Sequence, residues 1–403
     1  MWNRNVVLLW QGQLVSAVGD MVYQVALGFW VLGYTGSTAV MGIVMAAGFI
    51  PRSLISPFAG VLVDRMNRKW LLVMMDFIRG ITVVVVTVAA FGGWLTIPVI
   101  ITAAIVIGLC AAFFDPTVSS TIPSISSKEH LVQVNSLFAV NQTGAGIVGN
   151  AMGGVLFAAL GAPLLFLFNG VSYLISAFSE LFISVPPVEQ EPGEFHFFTD
   201  MKEGFRFIRA HRGMVVLLIS VFSLNFLLSL SGVLFLPYFE QRTELGPETF
   251  GLAMAILSAS SLLGFLLLMS WKLPKGMHFG WFAVHTLLFV IGRTSLFSFD
   301  SLLIICIQFA VFGFAVSQLN SLIAAAGQLM VPNHLRGKVF GFLGAMSGGL
   351  TPLGMALGGI LAEYISIPVI QLVSGLLVGL GFIPALLDPE FRRMINQEYS
   401  LKE

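Results

Sequence analysis

Long apolar runs separated by short polar breaks repeat along the whole 403-residue chain. A helix needs about 20 mainly apolar residues to cross the hydrocarbon core of a bilayer. Runs of that length are centred in 6–33, 39–63, 70–92, 95–118, 134–160, 163–185, 214–240, 248–271, 280–298, 301–331, 337–363 and 366–387. They predict twelve membrane-spanning helices and an all-α protein. The first, fifth, tenth and eleventh runs are long enough to tilt. Helical periodicity within the runs separates no faces, because a helix surrounded by other helices and lipid is apolar all round.

The polar breaks give the orientation. With the N-terminus in the cytoplasm, every Lys and Arg except Arg52, Arg79, Arg242 and Arg293 falls on the cytoplasmic side. Arg52, Arg79 and Arg293 lie within spans, so the bias of the loops places both termini in the cytoplasm, and twelve spans have the parity this requires. The longest polar interruption, 186–213, divides the chain into an N-terminal six-helix bundle (1–186), a cytoplasmic linker (187–213), a C-terminal six-helix bundle (214–388) and a cytoplasmic tail (389–403). Within the linker, Thr199 is the expected N-cap of an amphipathic helix. Asp200 and Glu203 fall in its first turn and Arg206, Arg209 and Arg212 toward its end, as the helix dipole favours. Met201, Phe205 and Ile208 share one face, which suits a helix lying on the membrane surface or the bundle ends. The two halves also look related: Gly149, Gly153 and Gly154 of the fifth span recur as Gly354, Gly358 and Gly359 of the eleventh. Such repeats are common in secondary transporters, which bind substrate between them near the bilayer midplane.

Composition narrows the function. The chain is 57% hydrophobic and 10% charged, where a soluble domain is about a quarter charged. A formal net charge of zero gives no ground for a nucleic-acid partner. Cys110 and Cys306 are isolated in apolar segments and form neither a disulfide framework nor a metal site. No signal peptide is evident, since Met1 leads directly into a spanning segment. No phosphate-binding loop, nucleophile elbow or metal-ligand cluster is present, so catalytic residues and cofactors are expected to be absent and ATP-driven transport by this chain alone is disfavoured.

One break is more heavily charged than a helix end requires. Gly60, Asp64, Arg65, Arg68 and Lys69 spell G-x-x-x-D-R-x-x-R-K between the second and third spans. This pattern resembles the loop signature of the major facilitator superfamily. Further segments are similar to its macrolide-efflux and enterobactin-exporter branch: Ile50 to Gly60 with Pro51, Arg52 and Pro57; Phe114, Asp115 and Pro116 followed by Ile122 and Pro123; Glu203 to Arg212; and Val331 to Phe340 with Pro332, Arg336 and Gly337. The resemblance implies a fold of two pseudo-symmetric six-helix bundles and alternating access. It also implies proton-coupled efflux of an amphipathic or hydrophobic small molecule, macrolide-like or siderophore-like. The superfamily's antiporter motif in the fifth span carries proline where this chain has Asn150, which weakens its link to antiport here. A lipid or metabolite carrier of the same fold stays open, and a membrane-embedded enzyme or receptor is disfavoured. The expected partners are the small-molecule substrate, protons and membrane lipids, with a monomer working in the cell membrane.

Ionisable groups within spans cost about 2.5–3.5 kcal/mol each on insertion scales, so each needs a reason. Asp20 and Arg52 lie near the middle of the first two spans. They are proton-coupling candidates if Asp20 titrates, and a structural ion pair if it stays ionised. Asp76 and Arg79, three residues apart, can share a helix face. With Asp115, Asp64 and Arg65 they make a cytoplasmic charge network that reads as a structural girdle before it reads as a proton relay. Gly60 would let spans two and eleven approach, and Asp64 would then meet the positive N-terminal end of span eleven near Gly337, as a gate latch. Glu180 and Arg293 have no partner legible in the sequence, and His285 suits a hydrogen-bonded packing role. Tyr23, Phe113, Asn141, Gln142, Asn150, Asn225, Phe226, Gln318 and Asn320 are the candidate walls of a substrate cavity.

Overall fold

The computed structural model describes residues 3–63, 66–127, 130–185, 197–242, 245–271, 273–274, 276–299, 301–332 and 335–396. Among them there is no strand. The helices are α1 (Arg4–Thr35), α2 (Thr38–Val63), α3 (Arg68–Phe91), α4 (Ile97–Ile125), α5 (Leu131–Glu180), α6 (Phe197–Ala210) and α7 (Arg212–Gly232). They continue as α8 (Phe235–Glu240), α9 (Gly246–Ser270), α10 (His278–Thr294), α11 (Leu302–Met330), α12 (Arg336–Leu361), α13 (Ile367–Leu387) and α14 (Pro389–Ile395).

Among the described residues ten helical segments are long and apolar enough to cross a membrane, counting α7 with α8. Two local features separate this figure from the twelve apolar runs. Runs five and six fall as two helices within α5, whose helical backbone is broken at Gly161 (φ 74°, ψ 168°), two residues ahead of Pro163, with no longer connection between them. Gly161 takes a φ that a side chain would disfavour, and Pro163 withdraws an N–H two residues later. The ninth run forms α10, only 17 residues long. Large apolar side chains such as Phe178 and Leu380 are exposed, as lipid-facing positions require.

Two compact units emerge, one of Met1–Phe195 with Leu236–Gly251, the other of His196–Phe235 with Leu252–Glu403. In the first, α1 lies along α5 and α2 along α4, while α3 packs on both α4 and α5. Small residues make these approaches possible, since packing rather than the hydrophobic effect drives helix association in lipid. A side chain at Gly108 would collide with the Gly48 carbonyl, so the backbones of α2 and α4 touch. A Cβ at Gly12 would sit 2.8 Å from the Ser176 hydroxyl, and one at Gly19 would sit 2.6 Å from the Asn169 amide oxygen. The N-terminal end of α1 is tied down by polar contacts, with the Asn3 amide donating to the Ile125 carbonyl (2.6 Å) and Asn5 exchanging hydrogen bonds with the backbone of Ser184.

The recurring glycines of the two halves do the same work. Gly149 and Gly153 face Met21 and Val25 of α1, and Gly354 and Gly358 face Ser229 and the Leu230 carbonyl of α7. Gly154 lies against the Pro247 carbonyl within the first unit. There Phe29 stacks on Phe157 (4.9 Å between centroids) and meets the edge of Phe250 (5.6 Å). Because a Cβ at Gly358 would overlap backbone, Gly358→Val is expected to cost about 1–3 kcal/mol as overpacking. Thermal unfolding of the purified variant should show a clear fall in midpoint, and an unchanged midpoint would contradict the close α7–α12 contact.

In the second unit α7 packs on α12 and α13, and α10 on α11 and α13. α6 begins at Phe197, so Thr199 sits inside its first turn instead of capping it, with residues 191–196 outside the described set. Ile208 is buried, Gly204 touches the Lys338 backbone, and Glu203 forms an ion pair with Lys338 at 2.6 Å. The helix is therefore docked on α12 and α7. Asp388 caps α14 by accepting from the Phe391 N–H (2.8 Å) and pairs with Arg212 at 2.6 Å, closing the end of the unit. His285 contacts the Trp281 carbonyl through Nδ1 at 2.8 Å, a packing role.

Candidate functional site

The first unit forms a partly open cavity of about 640 Å³ whose walls come from α1 through α5. Asp20, Arg52, Arg79, Asp115, Asn141 and Tyr173 bring polar atoms to it. Its geometry begins with Gly19. Without a side chain there, α5 comes close enough for Asn169 and Tyr173 to reach the next residue of α1. The Tyr173 hydroxyl donates to Asp20 Oδ1, and Asn169 Nδ2 donates to the same oxygen at 3.4 Å. The Asn169 side chain is in turn met by Ser172, whose hydroxyl donates to its Oδ1 (3.3 Å) as well as to the Asn169 backbone carbonyl (2.8 Å).

Tyr173 links this carboxylate to a second charged group. The Arg79 guanidinium lies 4.5 Å from the Tyr173 ring centre and 4.0 Å from that of Phe114. Arg79 forms the expected ion pair with Asp76, one helical turn earlier on α3, and the Asp76 side chain is 0% exposed. Glu180, at the end of α5, is buried with neither carboxylate oxygen hydrogen-bonded.

Arg52 does not pair with Asp20. It pairs instead with Asp115 of α4, Nη2 to Oδ2 at 2.6 Å. The Gly48–Gly108 contact sets this choice, since it holds α2 on α4 and carries Arg52, one turn beyond Gly48, to the Asp115 side. Asp20 is thus left with the neutral donors Tyr173 and Asn169, while the cavity's other charged groups are matched in pairs. The Arg52 and Asp115 side chains are 46% and 41% exposed, so solvent screening limits the pair to about 0–1 kcal/mol. Arg52→Gln is expected to unfold close to the wild-type temperature; a large loss of stability would contradict that assignment.

The remaining sequence-predicted residues fall in different places. Tyr23 and Asn141 line the cavity, with the Asn141 amide donating to the Trp10 carbonyl (3.1 Å) and the Tyr23 ring 5.2 Å from Phe166. Phe113 and Asn150 are half-buried in the first unit and are not among its lining residues. Asn225, Phe226, Gln318 and Asn320 belong to the second unit. Asn225 bonds its own helix at the Val221 carbonyl (2.9 Å). Gln318 is fully buried, donating to the Gly264 carbonyl (2.6 Å) and accepting from the Trp281 indole (2.9 Å), as a tie between helices. Asn320 is exposed and Phe226 half-buried. Arg68 donates to the Ser120 carbonyl (2.9 Å) and the Ser124 hydroxyl (3.0 Å), joining the start of α3 to the end of α4. Lys69 is half-buried, and Gly60 packs against nothing within its unit. Asp64, Arg65 and the Gln142 side chain lie outside the described residues.

Sequence reasoning missed Tyr173 and Asn169. The signal was present: Asn169, Ser172, Tyr173, Ser176, Ser179 and Glu180 recur at three- and four-residue spacing in an otherwise apolar run. That is a polar stripe on one face of a helix.

A family model described as transmembrane secretion effector matches residues 3–394. The chain belongs to that family. It is a transporter of the major facilitator superfamily and a multi-pass membrane protein, not an enzyme. Macrolide efflux protein A of Streptococcus pyogenes is 23% identical over 392 residues, covering 94% of each chain. The multidrug efflux pump Tap of Mycolicibacterium fortuitum is 27% identical over 408 residues, covering 96% of this chain and 97% of its own. Among solved structures, a bacterial homologue of the human lysosomal transporter Spinster, inward-facing and unoccupied, has a TM-score of 0.75 at 13% identity. It covers 99% of this chain and 98% of that one, and at such identity the likeness concerns the fold.

Proposed function

We propose that this protein exports amphipathic or hydrophobic small molecules, macrolide-like or siderophore-like, in exchange for protons. Transport would run by alternating access between two six-helix bundles, 1–186 and 214–388. On this reading there are twelve spans, counting both arms of α5 and the short α10, with both termini in the cytoplasm, as the bias of basic residues in the loops supports. The protein works as a monomer in the cell membrane. The names of the relatives support efflux, and the polar cavity of the first unit supports coupling.

The observation that carries the coupling is the pattern of partners. Asp76 and Asp115 each have an arginine, so protonating either would strand a cation. Asp20 accepts from Tyr173 and Asn169, groups that tolerate it with or without its proton. It also lines the cavity from which a proton and a substrate could be exchanged. A carboxylate of this kind within a span is where a proton relay is expected. The test is a pH-sensitive dye in inverted vesicles, energised and then given a panel of macrolides and siderophores. Substrate-dependent dissipation of the gradient supports the reading; transport of a panel member with no dissipation removes proton coupling from it.

A further inference from the structure

Among the described residues the second unit buries one arginine with no carboxylate paired to it. Arg293, at the end of α10, is 1% exposed. One of its nitrogens, Nη2, donates to the Ser231 hydroxyl on α7, and neither Nε nor Nη1 has an acceptor. Its guanidinium lies 5.1 Å from the ring centre of Phe235 and 5.3 Å from that of Phe312. Among the described residues no carboxylate pairs with it. The first unit treats its buried arginine differently, giving Arg79 the Asp76 carboxylate.

Ser231 cannot balance the charge. Its hydroxyl is spent on the Leu227 carbonyl (2.5 Å), and its own carbonyl receives the Gln371 amide (2.7 Å). The aromatic faces attract a cation but are neutral. An uncompensated charge in a water-excluded interior is strongly disfavoured, and two unmet N–H donors add to the penalty. One negative charge with acceptor capacity on all sides would resolve both. The two rings that face the guanidinium are backed by further buried rings, Phe297 at 5.8 Å from Phe235 and Phe289 at 5.3 Å from Phe312, which favours an ion of small size.

We infer that Arg293, with Nε and Nη1 as donors, holds a small monovalent anion of the size of chloride inside the second unit. The site is separate from the Asp20 cavity, and the inference does not rest on proton coupling. Its test is binding of radiolabelled chloride to the purified full-length protein, alongside thermal unfolding in chloride, bromide or gluconate at equal ionic strength. The expected result is saturable chloride binding and an unfolding midpoint raised by chloride and bromide relative to gluconate, which is too bulky to enter. Arg293→Gln should abolish both responses, and Arg293→Met is a second variant should the first fail to fold. The wild-type protein decides the matter by itself: no saturable binding and no halide dependence would overturn the inference. Halide effects that persist unchanged in a folded Arg293 variant would overturn it equally.

Discussion

Asp20→Asn is expected to reduce pH-gradient-driven efflux to the level of vesicles lacking the protein, with the fold and the unfolding temperature little changed. Asparagine has nearly the same shape, and its carbonyl oxygen can still accept from Tyr173 and Asn169. What it cannot do is gain and lose a proton. The variant should retain equilibrium binding of a transported ligand, because the remaining cavity walls are untouched. Tyr173→Phe gives a graded comparison. It removes the hydroxyl that orients Asp20 but keeps the ring against Arg79, so transport should weaken and shift in pH dependence without being lost. Efflux by Asp20→Asn at the wild-type rate would remove Asp20 from the coupling role.

The largest effect on stability is expected at Arg79. Arg79→Gln leaves Asp76, 0% exposed, as a buried carboxylate without its cation. Breaking a buried pair from one side costs about 3–5 kcal/mol, a large share of the about 5–15 kcal/mol that holds a typical domain together. Loss of the guanidinium also empties the space between Phe114 and Tyr173. The double variant Asp76→Asn, Arg79→Gln should recover much of the loss, because no charge is then stranded. Expression and unfolding temperature in detergent measure both. A single variant as stable as the wild type, or a double variant no better than the single, would contradict a structural ion pair at this position.

Much of the architecture was legible in the chain because lipid allows few solutions. Backbone groups must be satisfied within the helix, so apolar length alone located the helices. The break between runs five and six could be placed at Gly161 and Pro163, but its tightness, a single residue of non-helical backbone, could not, since the same residues also make longer loops. The Asp76–Arg79 pair was legible because both partners lie on one helix at fixed spacing. Arg52 was matched to the wrong carboxylate because its partner depends on which helix α2 packs against. That choice is made by Gly48 and Gly108, sixty residues apart in sequence and in contact in the fold. Tyr173 and Asn169 escaped for a related reason: a tyrosine in an apolar run declares its ring and conceals what its hydroxyl meets. The glycine repeat, by contrast, was readable and meaningful, since Gly149 and Gly354 each meet the first helix of their own half.

The most direct test of the account is substrate-driven proton movement by the purified protein in proteoliposomes, with a trapped pH indicator and no other transporter present. Adding a transported macrolide to one side should move protons in the opposite direction, and the same addition to Asp20→Asn proteoliposomes should move none. Macrolide transport with no accompanying proton flux, or equal flux in the two proteins, would contradict proton-coupled efflux through Asp20.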